Sequence, residues 1–259
     1  MTAELRTERR DATLLLTISD PSARNALSPQ VYAAGVEALN VAEADAAVRA
    51  VVLRGDGAHF CAGGHLGRLS ANRQQGREAQ QRAIGMFHQF IGALRSFPKP
   101  VIAAVEGAAA GGGFSLALAC DLIVAAEDAR FSLAYGRVGL SPDGGGSWHL
   151  ARALPRALAL ELLWLGEALT ARELQSRGLV NRVTDSGQAL TEALRVAQQL
   201  GACAPNAVAS AKELLNEAGS NSLDQQLDAE RDHFLDNLFH DNGAEGLQAF
   251  FDKRSPRFR

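Results

Sequence analysis

An aspartate and two glycine-rich turns are the places in this sequence where side-chain or main-chain groups could do chemistry. Asp143 stands in Ser141-Pro142-Asp143-Gly144-Gly145-Gly146, directly ahead of a helix-forming stretch. An aspartate in such a turn can cap the helix by accepting an orphan backbone N–H, or it can offer its carboxylate as an acid and base. The local sequence leaves both uses open. Gly111-Gly112-Gly113 follows one apolar run and opens a helix, so its unhindered N–H groups could face an anion. Cys61-Ala62-Gly63-Gly64-His65-Leu66 is a second small-residue turn after a strand-like segment. Two N–H groups, one from each turn, are what an oxyanion hole requires. Losing one such donor costs about 2.7–4 kcal/mol of transition-state stabilisation.

Neither glycine turn fits a nucleotide motif. Gly-Lys-Ser/Thr does not follow Gly113, which excludes a P-loop. Asp128 lies near the distance at which a dinucleotide fold carries an acidic residue, but the GxGxxG spacing is missing.

The elements that must hold these turns are legible from periodicity. Leu5–Arg10 and Thr13–Ser19 read as two strands across a turn at Asp11. Ser28-Pro29 supplies an N-cap and first-turn proline for a helix to about Asn40. Arg49–Arg54 is a short buried strand, and His59-Phe60-Cys61 is strand-like. Residues 73–96 read as one long amphipathic helix stopped by Pro98 and Pro100. Val101–Val105 is a strand leading through Gly107 and Gly111-Gly112-Gly113 into an apolar helix ending near Ala119. Asp121–Ala125 and Ala129–Leu133 are further strands. Three passes of strand, glycine turn and helix in about 130 residues argue for an α/β core. From Leu154 the chain is mainly helical apart from 178–183, with helices expected at 188–201, 205–218, 222–239 and 241–254. Leu223, Leu227, Phe234, Leu235 and Leu238 recur at helical spacing there, a face expected to pack on other subunits.

Composition narrows the setting. Of 259 residues 47% are hydrophobic and 21% charged, with a formal net charge of -3 and no basic run, which argues against a nucleic-acid surface. No apolar stretch long enough for a membrane span occurs, and the charged start MTAELRTERRD lacks a signal peptide's apolar segment. Cys61, Cys120 and Cys203 have no metal or disulfide spacing and are expected to be reduced thiols of a cytoplasmic protein.

Four segments, in order along nearly the whole chain, resemble those of the crotonase, or enoyl-CoA hydratase/isomerase, family. They are Arg24-Asn25-Ala26-Leu27-Ser28; Phe60-Cys61-Ala62-Gly63-Gly64-His65-Leu66; Pro100 through Gly111-Gly112-Gly113 to Cys120-Asp121; and Glu245-Gly246 through Ala249-Phe250 to Lys253-Arg254 and Phe258. The resemblance implies a spiral of strand-strand-helix repeats over residues 1–200 and a helical trimerisation region over 201–259, assembled as a homotrimer or dimer of trimers. It implies an acyl-CoA thioester as partner and no cofactor or metal, coenzyme A being part of the substrate. Gly64 and Gly112 would be the oxyanion donors. Ala23, Arg24, Ala62, Gly63, His65 and Leu66 would lie along the CoA, and Phe250 and Lys253 would reach a neighbour's CoA.

Three positions depart from the family pattern. His65 replaces the usual aspartate, either as a hydrogen-bonding surface residue or as a group titrating near neutrality. Ser115 and Tyr135 stand where the hydratases carry two glutamates, so the usual acid and base for adding water are missing. The Asp143 segment resembles the one in which the family's double-bond isomerases, including those of phenylacetyl-CoA metabolism, place a catalytic aspartate. Isomerisation needs one carboxylate where hydration needs two. Asp143 is therefore expected to be the acid and base, with Ser115 and Tyr135 lining the substrate and mattering much less. The alternatives are hydration, an aryl-CoA dehalogenase-like hydrolysis with His88 as base, and a binding protein without chemistry.

Overall fold

The computed structural model describes residues 3–259; Met1 and Thr2, the start of the expected 1–200 core, lie outside them. β1 (Glu4–Arg10) and β2 (Thr13–Ser19) pair antiparallel through a turn at Asp11, whose φ is 52°. α1 (Pro29–Ala44) begins as the sequence requires, with the Ser28 hydroxyl accepting the Val31 N–H at 3.2 Å and Pro29 in the first turn. β3 (Ala50–Gly55) then lies parallel to β2.

The next segment departs from expectation. A single helix was expected over 73–96, but two form, α2 (Leu66–Gln75) and α3 (Arg77–Ser96). Gly76 separates them with φ 102°, a conformation no helix contains and that side-chain-bearing residues rarely adopt. The strand-like run His59–Cys61 makes only an isolated bridge from Cys61 to Ala109.

From here successive strands fill two sheets in alternation. β4 (Val101–Val105) joins the first sheet, while β5 (Ala108–Ala110) leaves it after a corner at Gly107. A Cβ there would stand 2.1 Å from the Ala58 carbonyl oxygen, and φ is 52°, so the corner requires glycine. α4 (Gly112–Ala119) follows, entirely buried. β6 (Leu122–Ala126) returns to the first sheet and β7 (Arg130–Ser132) pairs with β5 in the second. α5 (Gly146–Ala153), α6 (Arg156–Leu165), the two-residue β8 (Leu169–Thr170), α7 (Ala171–Ser176) and β9 (Arg182–Thr184) complete the winding. The first sheet runs β1-β2-β3-β4-β6-β9, parallel from β2 onward, and the second runs β5-β7-β8.

The parallel strands are buried on both faces, which is why they read as unbroken apolar runs. Val51, Leu53, Val101, Ala103 and Val105 face a core shared with α1, α3 and α4. Their alternates Ala50, Val52, Ile102, Ala104 and Val124 face α8 (Ala189–Gly201), which buries Ala189, Ala193, Val196 and Ala197 against them. α9 (Pro205–Glu217), α10 (Leu223–Phe239) and α11 (Asp241–Phe251) follow with short links. Leu223, Leu227, Phe234, Leu235 and Leu238 are all exposed on α10, as are Phe250 and Phe251 on α11. No helix of the described residues is long and apolar enough to cross a membrane.

α9 is tied to the core through Lys212. Its ammonium, on a side chain 11% exposed, donates to Asp121 Oδ2 at 2.8 Å and to the Leu94 and Lys99 carbonyls, while Asp121 also accepts the Val101 N–H. Lys212→Met leaves that carboxylate without its cation and should lower unfolding free energy by roughly 2 kcal/mol. Urea unfolding measures this, and a change below about 0.5 kcal/mol, the range of ordinary surface substitutions, would show the pair to be dispensable.

Candidate active site

The site begins with a buried asparagine. Asn25, with φ 58°, donates from Nδ2 to the Asp56 and His59 carbonyls at 2.9 and 2.7 Å and accepts the Asp20 N–H on Oδ1 at 2.9 Å. This staple presses the 20–28 loop along the segment after His59. Ala62 N–H then donates to Arg24 O at 2.9 Å, and Leu27 N–H to Gly63 O at 2.8 Å. Ala23, Arg24, Ala62, Gly63 and Gly64 thereby form one continuous edge, extended by His65 and Leu66.

The same segment is paired on its other side. Cys61 N–H donates to Ala108 O at 3.0 Å, and Ala110 N–H to Cys61 O at 2.9 Å, so the turn lies against β5 and the start of α4. The approach is closer than any side chain allows. A Cβ on Gly113 would stand 2.2 Å from Cys61 O, and one on Gly63 2.6 Å from Ala110 O and 2.9 Å from Gly112 N. Gly112 opens α4, where helix geometry leaves its N–H without a carbonyl partner. Among the described residues neither Gly64 N–H nor Gly112 N–H donates to a main-chain acceptor. Two unpaired donors from two touching turns, one at a helix N-terminus, are the kind of groups an oxyanion site requires.

Asp143 is not a helix cap. The N-cap of α5 is Gly145, with φ 79° and no side-chain hydrogen bond. The Asp143 carboxylate instead accepts the Tyr135 hydroxyl on Oδ1 at 2.6 Å, and its carbonyl accepts the Ser115 hydroxyl at 2.9 Å. Burial, with Asp143 adding to it, pushes the Tyr135 phenol well above its ordinary range, so it remains a proton donor toward the carboxylate. Ser115 and Tyr135, expected to line the substrate, thus also hold the Asp143 backbone and its side chain respectively. Phe87 of α3 closes the cluster. Its ring lies 3.4 Å from where a Gly112 Cβ would be and 2.3 Å from where a Gly144 Cβ would be. Gly112 and the Asp143–Gly144 turn therefore border one aromatic ring.

Other candidate groups have other roles. His65 caps α2, its Nδ1 accepting the Arg68 N–H at 3.3 Å, which fills the capping role an aspartate would serve there. His88 is exposed on α3, and the hydrogen bond to the Asp143 carboxylate comes from Tyr135. Burial, with Arg95 and Arg152 nearby, lowers His149 to about 4, so it is neutral at pH 7. Burial raises Cys61 to about 12 and Cys120 further, so neither thiol is a nucleophile. Phe250 is 78% exposed, and Lys253 makes no ion pair among the described residues. Within one chain neither joins the Gly64–Gly112–Asp143 cluster. Asn25 and Phe87 were not singled out from sequence. An asparagine, which tolerates left-handed φ, inside the quoted Arg24–Ser28 loop was the one available signal for the staple.

Known proteins resemble this chain along nearly its whole length. The enoyl-CoA hydratase/isomerase family model matches residues 8–259. The 2,3-dehydroadipyl-CoA hydratase of Escherichia coli K12 is 35% identical over 99% of this chain and 99% of its own. The 1,2-epoxyphenylacetyl-CoA isomerase of the same strain is 35% identical over 95% and 94%. The crystal structure of an enoyl-CoA hydratase from Polaromonas sp. JS666 superposes with a TM-score of 0.98 at 59% identity, covering 99% of this chain and 100% of that one.

The backbone contact at Gly113 sets a test. Gly113→Ala drives a methyl into Cys61 O and should destabilise the fold by about 3 kcal/mol. Gly92→Ala, in α3 with nothing within 4 Å of its Cβ position, should stabilise by about 0.5–1 kcal/mol. Equal melting temperatures for the two variants would contradict the close approach.

Proposed function

The chain belongs to the enoyl-CoA hydratase/isomerase family, and from that premise we propose that it moves a carbon–carbon double bond of an acyl-CoA thioester between C3 and C2, with Asp143 as proton carrier. The observation behind this reading is the Tyr135–Asp143 hydrogen bond. It occupies Oδ1 and leaves Oδ2 to work on substrate, while serine and tyrosine stand where a second carboxylate would be needed for hydration. Asp143 takes the C2 proton of a 3-enoyl thioester. The electron pair moves into the dienolate, whose oxygen is held by the Gly64 and Gly112 N–H groups. The same carboxyl group returns the proton at C4, giving the conjugated 2-enoyl thioester. No water is consumed.

The relatives also support a rival reading, hydration, since two of those described above are named hydratases. In that reaction Tyr135 and Asp143 would hold the water. Product mass separates the two. Asp143→Asn should lower isomerase turnover by about 10²–10⁴-fold with CoA-ester affinity nearly unchanged. Tyr135→Phe, which frees Oδ1 and loses a charge-assisted bond, should lower kcat by about 10–100-fold. Full turnover in Asp143→Asn would exclude the assignment.

The exposed apolar side chains of α10 and α11 support a homotrimer or dimer of trimers, in which Phe250 and Lys253 meet a neighbour's CoA. Sedimentation at micromolar concentration should show a trimer or hexamer. Lys253→Ala should raise KM for CoA esters while sparing pantetheine esters, and a monomer, or equal losses on both esters, would oppose this arrangement.

A further inference from the structure

Tyr32 is a buried phenol that the reaction above does not use. It lies on α1, is 8% exposed, and packs its ring on Phe87 with centroids 5.1 Å apart. Phe87 is the ring that borders both Gly112 and Gly144, so Tyr32 stands one side chain from the oxyanion donor and from the Asp143 turn. Its hydroxyl has no hydrogen-bond partner among the described residues, although Asn25, Ser28, Ser115 and Asn242, equally buried, all have side-chain partners. Arg177 Nη1 is the one sealed, unpaired side-chain nitrogen or oxygen among the described residues, so the Tyr32 oxygen keeps some access to solvent. Burial raises its pKa, with Cys61 and Asp143 adding to the rise and Arg68 opposing it. The group is therefore a protonated donor lying within the fields of both the carboxylate and the guanidinium.

Arg68 is a second donor in the same place. It is half-buried in the first turn of α2 and has no carboxylate partner among the described residues. Its Nη1 donates to Leu27 O at 2.8 Å, and the Leu27 side chain lies 3.4 Å from the Gly112 Cβ position. One N–H of the guanidinium is thus spent on the Leu27 carbonyl, and the rest have no protein acceptor among the described residues. Around an otherwise apolar rim of Phe87 and Leu27, two donors lack acceptors. A hydrocarbon chain would leave both unpaired on desolvation.

We propose that Tyr32 and Arg68 are specificity residues that bind an acceptor oxygen carried on the acyl group beyond its reacting carbons, so that the substrate class is an oxygenated acyl-CoA rather than a plain hydrocarbon one. This rests on the acyl-CoA reading of the site but not on which reaction follows. The test accordingly uses unreactive saturated esters and binding alone. Dissociation constants for hexanoyl-CoA, 6-hydroxyhexanoyl-CoA and adipoyl-CoA are measured by calorimetry on the wild type, Tyr32→Phe and Arg68→Met.

The wild type should bind at least one oxygenated ester about 10–100-fold tighter than hexanoyl-CoA, and Tyr32→Phe should shrink that ratio toward one. A preference for adipoyl-CoA that Arg68→Met abolishes identifies a carboxylate as the acceptor. A preference for 6-hydroxyhexanoyl-CoA that depends on Tyr32 identifies a neutral oxygen. Tyr32→Phe removes an unpartnered hydroxyl, so its melting temperature should stay within about 2 °C of wild type. Equal affinity of the wild type for all three esters overturns the proposal, as does a ratio that survives Tyr32→Phe. A variant that weakens all three alike while losing thermal stability overturns it too, by making the tyrosine structural. Loss of isomerase activity in the Asp143→Asn experiment bears on the reaction and leaves these ratios untouched.

Discussion

The pairing of the Cys61 backbone with Ala108 and Ala110 is the contact on which the site depends. It draws two main-chain segments so close that residues 63 and 113 have no room for a Cβ. That approach sets Gly63 against Gly112, and the N–H groups of Gly64 and Gly112 have no main-chain acceptor among the described residues. Neither donor is a side chain that can rotate, so in the proposed reaction a developing oxyanion would meet dipoles already in place. The surrounding elements secure this seam. Gly107 turns the chain from the first sheet into the second, the buried face of α4 anchors the helix whose N-terminus supplies one donor, and Asn25 clamps the loop on the far side.

The carboxylate end is built on the same economy of side chains. Gly144 and Gly146 pass over Ser115, and a Cβ on Gly146 would stand 2.7 Å from its Oγ. Ser115 is fully buried and already bound to the Asp143 carbonyl, so a longer acidic side chain at 115 has no room beneath this turn. The serine and the aspartate thus belong to one arrangement, in which the turn settles over a small residue. Tyr135 completes it by holding one carboxylate oxygen. The pair therefore consists of one acid and one neutral donor.

How much of this was readable in the sequence follows the range of the interactions. Strands β2, β3 and β4 and the start of α1 were legible because apolar runs and the Ser28-Pro29 cap are local signals. The glycine turns were legible because missing side chains are themselves a signal. The break at Gly76 was not, since a lone glycine within an amphipathic pattern can stay helical and only its φ of 102° decides otherwise. Assignment of β5, β7 and the two-residue β8 to a second sheet depends on partners 22 to 40 residues away, which periodicity does not encode. Asp143 was located by its segment, but its partner was not, because the Tyr135 bond is a contact across a loop. His65 was ambiguous until the helix it caps was in view.

The central claim is that one carboxylate relays a proton across an enolate held by two backbone N–H groups. Its most direct test is to incubate the enzyme with a 3-enoyl-CoA in oxygen-18 water and weigh the product. The account predicts a 2-enoyl-CoA that has gained no oxygen-18. A product heavier by one molecule of labelled water, formed as fast as the substrate disappears, would contradict it.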